Sequence, residues 1–247
     1  MTLCEEVVEW LKEQKAKGIK GVVLGLSGGK DSTTVAMLAK KVWGIEVIAV
    51  MMPNCMQPDI DDSIEIASEL DLRYVTVNIG DTFMSLVNDI EFADNIKVTS
   101  KAKTNIAPRI RMTALYAIAQ TLGYCVIGTG NYSERYLGWT TKWGDSACDL
   151  NPIGNLTKTE VVEIGLELAE EFGLNKKFIT KAPGDGLTGK TDEDNFGFTY
   201  HDLDGFLLNK MPPDPEVERK ILDMHFASLH KINPIPMFEK TTQNTLI

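Results

Sequence analysis

The segment Ser27-Gly28-Gly29-Lys30-Asp31-Ser32 gathers two hydroxyls, two glycines, a cation and a carboxylate into consecutive positions. It lies between the apolar run 21–24 and the helix-patterned run 33–39. A strand, a turn of small residues and a helix start make an anion cradle. The glycines let backbone N–H groups face a ligand, the hydroxyls add donors, and the helix dipole favours negative charge. Such a site suits a phosphate. Asp31 makes sense there when a divalent cation neutralises both carboxylate and phosphate. Spacing excludes two other phosphate loops. Only three residues separate Gly25 from Gly29, and Lys30 precedes Asp31 rather than Ser or Thr, which breaks the Walker pattern. Gly25, Gly28 and Gly29 also miss the dinucleotide fingerprint.

Further chemistry-bearing residues recur downstream. Arg109 and Arg111 follow Pro108, which is expected to open a helix over 108–120. Two guanidiniums on a first turn oppose the helix dipole and so call for an anion, although the pair standing alone reads more readily as a solvated or salt-bridged face. Glu134 follows Thr129 just beyond an expected strand at 124–128, where it could share a metal with Asp31. Taken singly, a glutamate there is more often a helix-start residue. The stretch 141–149 mixes Lys142, Trp143, Asp145 and Asp149 with small residues, as a polar pocket with stacking surfaces does.

The elements that must position these groups alternate. An amphipathic helix from Leu3 ends near Gly18, and apolar runs at 46–52 and 73–77 read as strands. Helices are expected over 59–70 and 82–91, and Thr157 with Glu160 forms a capping box for a helix ending at Gly173. This order predicts an α/β fold: a Rossmann-like, doubly wound, mostly parallel sheet with helices on both faces, in a single domain over 1–247. Ligands of such sheets bind at the carboxyl ends of the strands. The glycine-rich, polar stretch 184–198 reads as a mobile loop or lid. Helices over 200–209 and 216–230 follow in a C-terminal helical segment, 200–247.

Composition narrows the class. At 247 residues the chain can bury one large core, and 43% hydrophobic with 24% charged residues is ordinary for a soluble protein. A net charge of −10 argues against an extended nucleic-acid surface. Cys4, Cys55, Cys125 and Cys148 show no close pairing, as expected of reduced thiols. No apolar run is long enough to span a membrane and no signal peptide is apparent, so a cytoplasmic location is expected.

The 27–32 loop resembles the pyrophosphate loop of the N-type ATP pyrophosphatases, which cleave ATP between the α and β phosphates. The wider order of motifs is similar to that of ammonia-dependent NAD synthetases. The shared pieces are this loop, Arg109-x-Arg111, Gly128-Thr129 with Glu134, Thr141-Lys142-Trp143-Gly144-Asp145, Leu156-Thr157-Lys158, Thr191-Asp192-Glu193 and His230-Lys231. The resemblance implies ATP on Gly25, Leu26, Ser27, Gly28, Gly29, Lys30, Asp31 and Ser32, with Arg111, Thr129, Lys158 and Gly184. It implies Mg²⁺ on Asp31 and Glu134, and deamido-NAD on Arg109, Lys142, Asp149, His230 and Lys231. Asp145 and Lys158 are the expected catalytic residues, ammonia the nitrogen source, and a homodimer the expected assembly. Two positions depart from the family pattern: Gly184 replaces a Ser or Thr that touches phosphate, and Ile232 replaces an Arg. Other ligases share the loop, among them GMP synthetases and tRNA-modifying enzymes. The first normally carry a glutaminase domain for which this chain has no room, and the acidic charge disfavours the second. A nucleotide-sensing module would have no need of Lys142, Asp145 and Lys158.

Overall fold

The computed structural model describes residues 1–55, 60–94, 96–181, 191–210 and 212–238. Helix α1 (Leu3–Ala16) is started by a Thr2–Glu5 capping box and buries Cys4, Val7, Val8 and Leu11. There follow β1 (Val22–Gly25), α2 (Lys30–Trp43), β2 (Val47–Met51), α3 (Ile60–Glu69), β3 (Arg73–Thr76), α4 (Gly80–Asp94), α5 (Ser100–Leu122) and β4 (Cys125–Val126). The rest is helical: α6 (Tyr132–Leu137), α7 (Lys158–Phe172), α8 (Lys177–Thr180), α9 (Asp192–Phe196), α10 (Tyr200–Leu207) and α11 (Pro215–Ile232).

The strands form one parallel sheet in the order β3-β2-β1-β4. Parallel crossovers lay helices on both faces, so the inner strands β1 and β2 are buried and apolar, whereas β3 at the edge is largely exposed. Val22, Leu24, Val47, Ala49 and Met51 point into a core completed by α1, α2, α7 and α8, with Leu11, Met37, Leu38, Leu168 and Phe178. The alternate residues Val23, Ile48 and Val50 face α5, where Ala107 and Ala119 are buried and Ile110 and Leu115 are partly so, with Phe83 of α4 packed beside them. A third apolar cluster of Leu137, Phe196, Phe198, Tyr200, Leu203 and Ile221 unites α6, α9, α10 and α11. Among the described residues no helix is long and apolar enough to cross a membrane.

Two features bring the chemistry together. Strand β1 lies between β2 and β4, so the loops leaving β1 and β4 meet where the strand order reverses, at the carboxyl ends. Helix α7 also lies tightly on α2: a Cβ at Gly165 would stand 2.5 Å from Thr34 Oγ1. Only glycine permits that approach, and it carries the start of α7 toward the start of α2.

Several expectations need correction. Pro108 does not open its helix; α5 begins at Ser100, with Thr99 accepting from Ala102 N–H, and contains the proline. The ring forfeits one backbone bond, and packing of α5 against the sheet overrides that cost. Arg109 and Arg111 are thus mid-helix, and the dipole argument for an anion there fails. Strand β4 is shorter than 124–128, the sheet continuing as a single bridge between Ile127 and Leu150. The polar stretch 184–198 is not a loop throughout. Thr191 and Asp194 form a reciprocal cap that starts α9, while 182–190, with Gly184, lie outside the described residues.

Candidate functional site

The loop after β1 has the form expected of an anion cradle. Gly28 takes φ +77°, a value that favours glycine. Gly29 caps α2 with no side-chain bond to its first turn, leaving N–H groups there for a ligand. The hydroxyls brace the turn. Ser27 Oγ and Ser32 Oγ are 3.0 Å apart, Gly29 N–H donates to Ser27 Oγ at 3.2 Å, and Ser32 Oγ donates to Gly29 O at 3.0 Å. Lys30 is half-buried beside the loop. Burial and the neighbouring Lys158 charge lower its pKa.

The Lys158 ammonium stands at the centre of the site. It donates to Asp31 Oδ2 at 2.5 Å and to Glu134 Oε1 at 3.0 Å. Its side chain is 6% exposed. Its Nζ also lies 5.0 Å from the centroid of the Tyr200 ring. Burial opposes its charge, but the two carboxylates outweigh burial and hold it protonated. For Glu134, burial, reinforced by the Asp31 charge, pushes the carboxyl up to about 7 against the pull of Lys158.

These groups come from three elements: Asp31 from the start of α2, Glu134 from α6 and Lys158 from the start of α7. Glu134 is a helix-start residue as well as a site residue. Asn131 caps α6, and Glu134 Oε2 accepts from Asn131 N–H at 3.4 Å. Thr129, half-buried, precedes this cap in the loop after β4.

The carboxylates fit a hard divalent cation. Asp31 Oδ1 is buried without a hydrogen-bond partner, and Asp31 Oδ2 and Glu134 Oε1 already converge on one cationic nitrogen. Among the described residues no group of three or more His, Cys, Asp or Glu could hold a metal unaided. This suits Mg²⁺, which typically takes one or two carboxylates and completes its shell with phosphates and water.

A second group is cationic. Lys142 Nζ donates to His230 O at 2.5 Å, while Lys231 Nζ donates to Gly138 O at 2.6 Å and Thr140 O at 2.7 Å. The end of α11 and the 138–142 turn thus clasp each other through lysines and carbonyls. Arg109 Nε donates to Lys142 O at 3.2 Å, and Arg111 Nε to Met52 O at 3.0 Å. Asp145 accepts from Thr140 Oγ1 at 2.7 Å and Thr141 N–H at 2.8 Å. Burial lowers the pKa of Arg111 and of Lys231, and the Asp145 charge opposes it in each. The structure therefore brings Arg109, Arg111, Lys142, Asp145, His230 and Lys231 together. Asp149 is held elsewhere, accepting from Val126 N–H at 2.7 Å and Tyr116 OH at 3.2 Å at the edge of β4.

Sequence reasoning missed several supports. Asn131, fully buried, donates from Nδ2 to Asp31 Oδ2 at 3.4 Å. Asp192, buried, accepts from Trp139 Nε1 at 3.2 Å and Tyr200 OH at 3.0 Å, which fixes the ring beneath Lys158. Asp204, also buried, accepts from Ser133 Oγ at 2.5 Å, Thr159 N–H at 2.8 Å and Thr159 Oγ1 at 2.6 Å. The Asn131-x-x-Glu134 spacing was a capping signal that could have marked the first. Asp192 is marked only by the Thr191-Asp192-Glu193 piece of the family resemblance, with no role attached, and Asp204 carries no local signal.

Comparison with known proteins gives the family and the fold. The profile of the NAD synthase family matches residues 3–236. The NH(3)-dependent NAD(+) synthetase of Carboxydothermus hydrogenoformans is 45% identical over 207 residues, covering 83% of this chain and 84% of that protein. Two solved structures are similar along nearly their whole length. NMN synthetase from Francisella tularensis gives a TM-score of 0.87 at 33% identity, covering 96% of this chain and 98% of that one. NH3-dependent NAD synthetase from Campylobacter jejuni gives 0.75 at 30% identity, covering 96% and 97%.

Proposed function

Because the chain belongs to the NAD synthase family, we propose that it is a ligase converting deamido-NAD, ATP and ammonia into NAD, AMP and pyrophosphate. The observation that carries this reading is the Lys158 ammonium joining Asp31 and Glu134 at the mouth of the 27–32 loop. The uncapped start of α2, the loop from Gly25 to Ser32, Thr129 and Lys158 would receive the ATP phosphates. Arg111, held on Met52 O beside the second group, would reach the same nucleotide, and Gly184 would add a backbone contact. Asp31 and Glu134 would hold Mg²⁺, which supplies positive charge to the departing pyrophosphate.

The reaction needs no protein nucleophile. A nicotinate carboxylate oxygen attacks the α-phosphorus, and the bond to the β-phosphate oxygen breaks, giving an acyl adenylate and pyrophosphate. The nitrogen of ammonia then attacks the acyl carbon, the bond to AMP breaks, and a proton is lost. Lys158 and the loop N–H groups act where negative charge accumulates on the leaving group. Arg109, Lys142, His230 and Lys231 would hold the dinucleotide, as would Asp149 from its separate position. Asp145 would orient the incoming ammonium or take up its proton.

The family resemblance carries the homodimer, and an apolar groove of about 340 Å³ between β2, β3 and the C-terminal half of α5, lined by Ile48, Val75, Ile118 and Leu122, is a surface a second copy could cover. Sedimentation at twice the chain mass is the expected result. A cytoplasmic site of action goes with these soluble substrates.

A second reading has a specific basis in the similarity to the Francisella NMN synthetase: the acid amidated could be the nicotinate mononucleotide. One assay decides. Pyrophosphate release and amide formation are measured with deamido-NAD, with its mononucleotide half and with neither, using ammonium or glutamine. The expected result is dependence on deamido-NAD and ammonium. A higher kcat/KM for the mononucleotide would replace the first reading by the second, and release with neither acid would remove both.

A further inference from the structure

The residues flanking Glu134 and Lys158 are tied to one buried carboxylate in a part of the chain remote in sequence. Ser133 precedes Glu134, and Lys158 precedes Thr159. Asp204 of α10, 3% exposed, accepts from Ser133 Oγ at 2.5 Å and from both Thr159 N–H and Oγ1, at 2.8 and 2.6 Å. Ser133 Oγ in turn accepts from Lys158 N–H at 2.9 Å. A single side chain therefore closes a network over the starts of α6 and α7, the two elements that present Glu134 and Lys158 to Asp31.

The charges explain why an aspartate suits this place. Lys158 is the first residue of α7, where its cation is opposed by the helix dipole. The Asp204 carboxylate accepts from the Thr159 N–H of that same turn and offsets the field. Helix α10 also begins with Tyr200, whose ring lies against Lys158 Nζ. Asp204 thus fastens the C-terminal helices to the phosphate end and sets the separation of Glu134 from Lys158.

We propose that Asp204 is a positioning residue for the metal–phosphate site, acting through Ser133 and Thr159 and touching no substrate. The inference rests on the reading of Asp31, Glu134 and Lys158 as the site of Mg²⁺ and ATP. Its test is Asp204→Asn in the full chain, with Ser133→Ala and Thr159→Val beside it. Three quantities are read: the Mg²⁺ activation constant, the affinity for Mn²⁺·ATP by electron paramagnetic resonance, and KM for deamido-NAD.

Loss of an outer support of this kind costs about 10- to 100-fold in metal affinity or activity. That loss is expected in the first two quantities for Asp204→Asn, with KM for deamido-NAD within about twofold. The smaller variants should move the same two quantities by about fivefold, one charge-assisted bond each. If Asp204→Asn does not fold, these two decide. Unchanged Mg²⁺ and Mn²⁺·ATP constants in the folded variants overturn the proposal, as does an equal rise in KM for deamido-NAD. A wild-type protein that binds no Mn²⁺·ATP would instead overturn the underlying site reading.

Discussion

The two charged groups of this site are built on different terms. At the phosphate end, charges satisfy one another: Lys158 is buried between Asp31 and Glu134, above a tyrosine ring. At the turn around residue 140, the cations rest on backbone carbonyls instead, Lys142 on His230 O and Lys231 on Gly138 and Thr140 O. A buried ion pair is costly to break and holds one geometry. A lysine resting on a neutral carbonyl beside solvent can exchange it for a stronger, anionic acceptor. The first region is therefore set before substrate arrives, and the second is arranged to receive an anion.

The largest effect that could break this contrast is expected at Lys158. Lys158→Met leaves two buried carboxylates without their cation, which should cost about 3–5 kcal/mol of folding stability. Loss of the charge on the leaving group should lower adenylate formation by at least about 100-fold. Urea denaturation and single-turnover pyrophosphate release measure the two. A variant of wild-type stability would show that the phosphate end is no more rigid than the other.

Asp145→Asn sharpens the contrast from the other side. Its oxygens accept from Thr140 and Thr141, so the amide can keep part of the turn while losing the charge. Amide formation from preformed adenylate should fall about 10- to 100-fold, well beyond any loss in adenylate formation. Equal losses in both half-reactions would reduce Asp145 to a brace of the turn.

The smallest effects belong to Lys142→Ala and Lys231→Ala. Each removes a partly exposed charge worth about 1 kcal/mol, so KM for the dinucleotide should rise about fivefold while KM for ATP stays nearly constant. A rise in KM for ATP instead would mean that the two regions act as one.

What could be read from the sequence was whatever is local. The 27–32 loop, the Thr157–Glu160 cap and the alternation of strands and helices each depend on neighbours within a few positions, and the folded chain reproduces them. Pro108 reads as a helix start because its preference is local, and in the fold that preference yields to the packing of α5 on the sheet. Asp204 was invisible for a different reason. Its donors lie 71 residues away at Ser133 and 45 away at Thr159, and no periodicity connects such positions. Asp149, grouped with the cationic residues by resemblance, lies apart from them, accepting from Val126 N–H and Tyr116 OH.

Glu134 divides its two oxygens between unlike duties, one toward the opening amide of α6 and one toward Lys158. Few replacements can serve both. Aspartate is a methylene too short to span the gap, and glutamine could keep the architectural bond but would bring no negative charge to the lysine. Tolerance to mutation at this position should therefore be narrower than at either duty alone, because one side chain answers to folding and to chemistry at once.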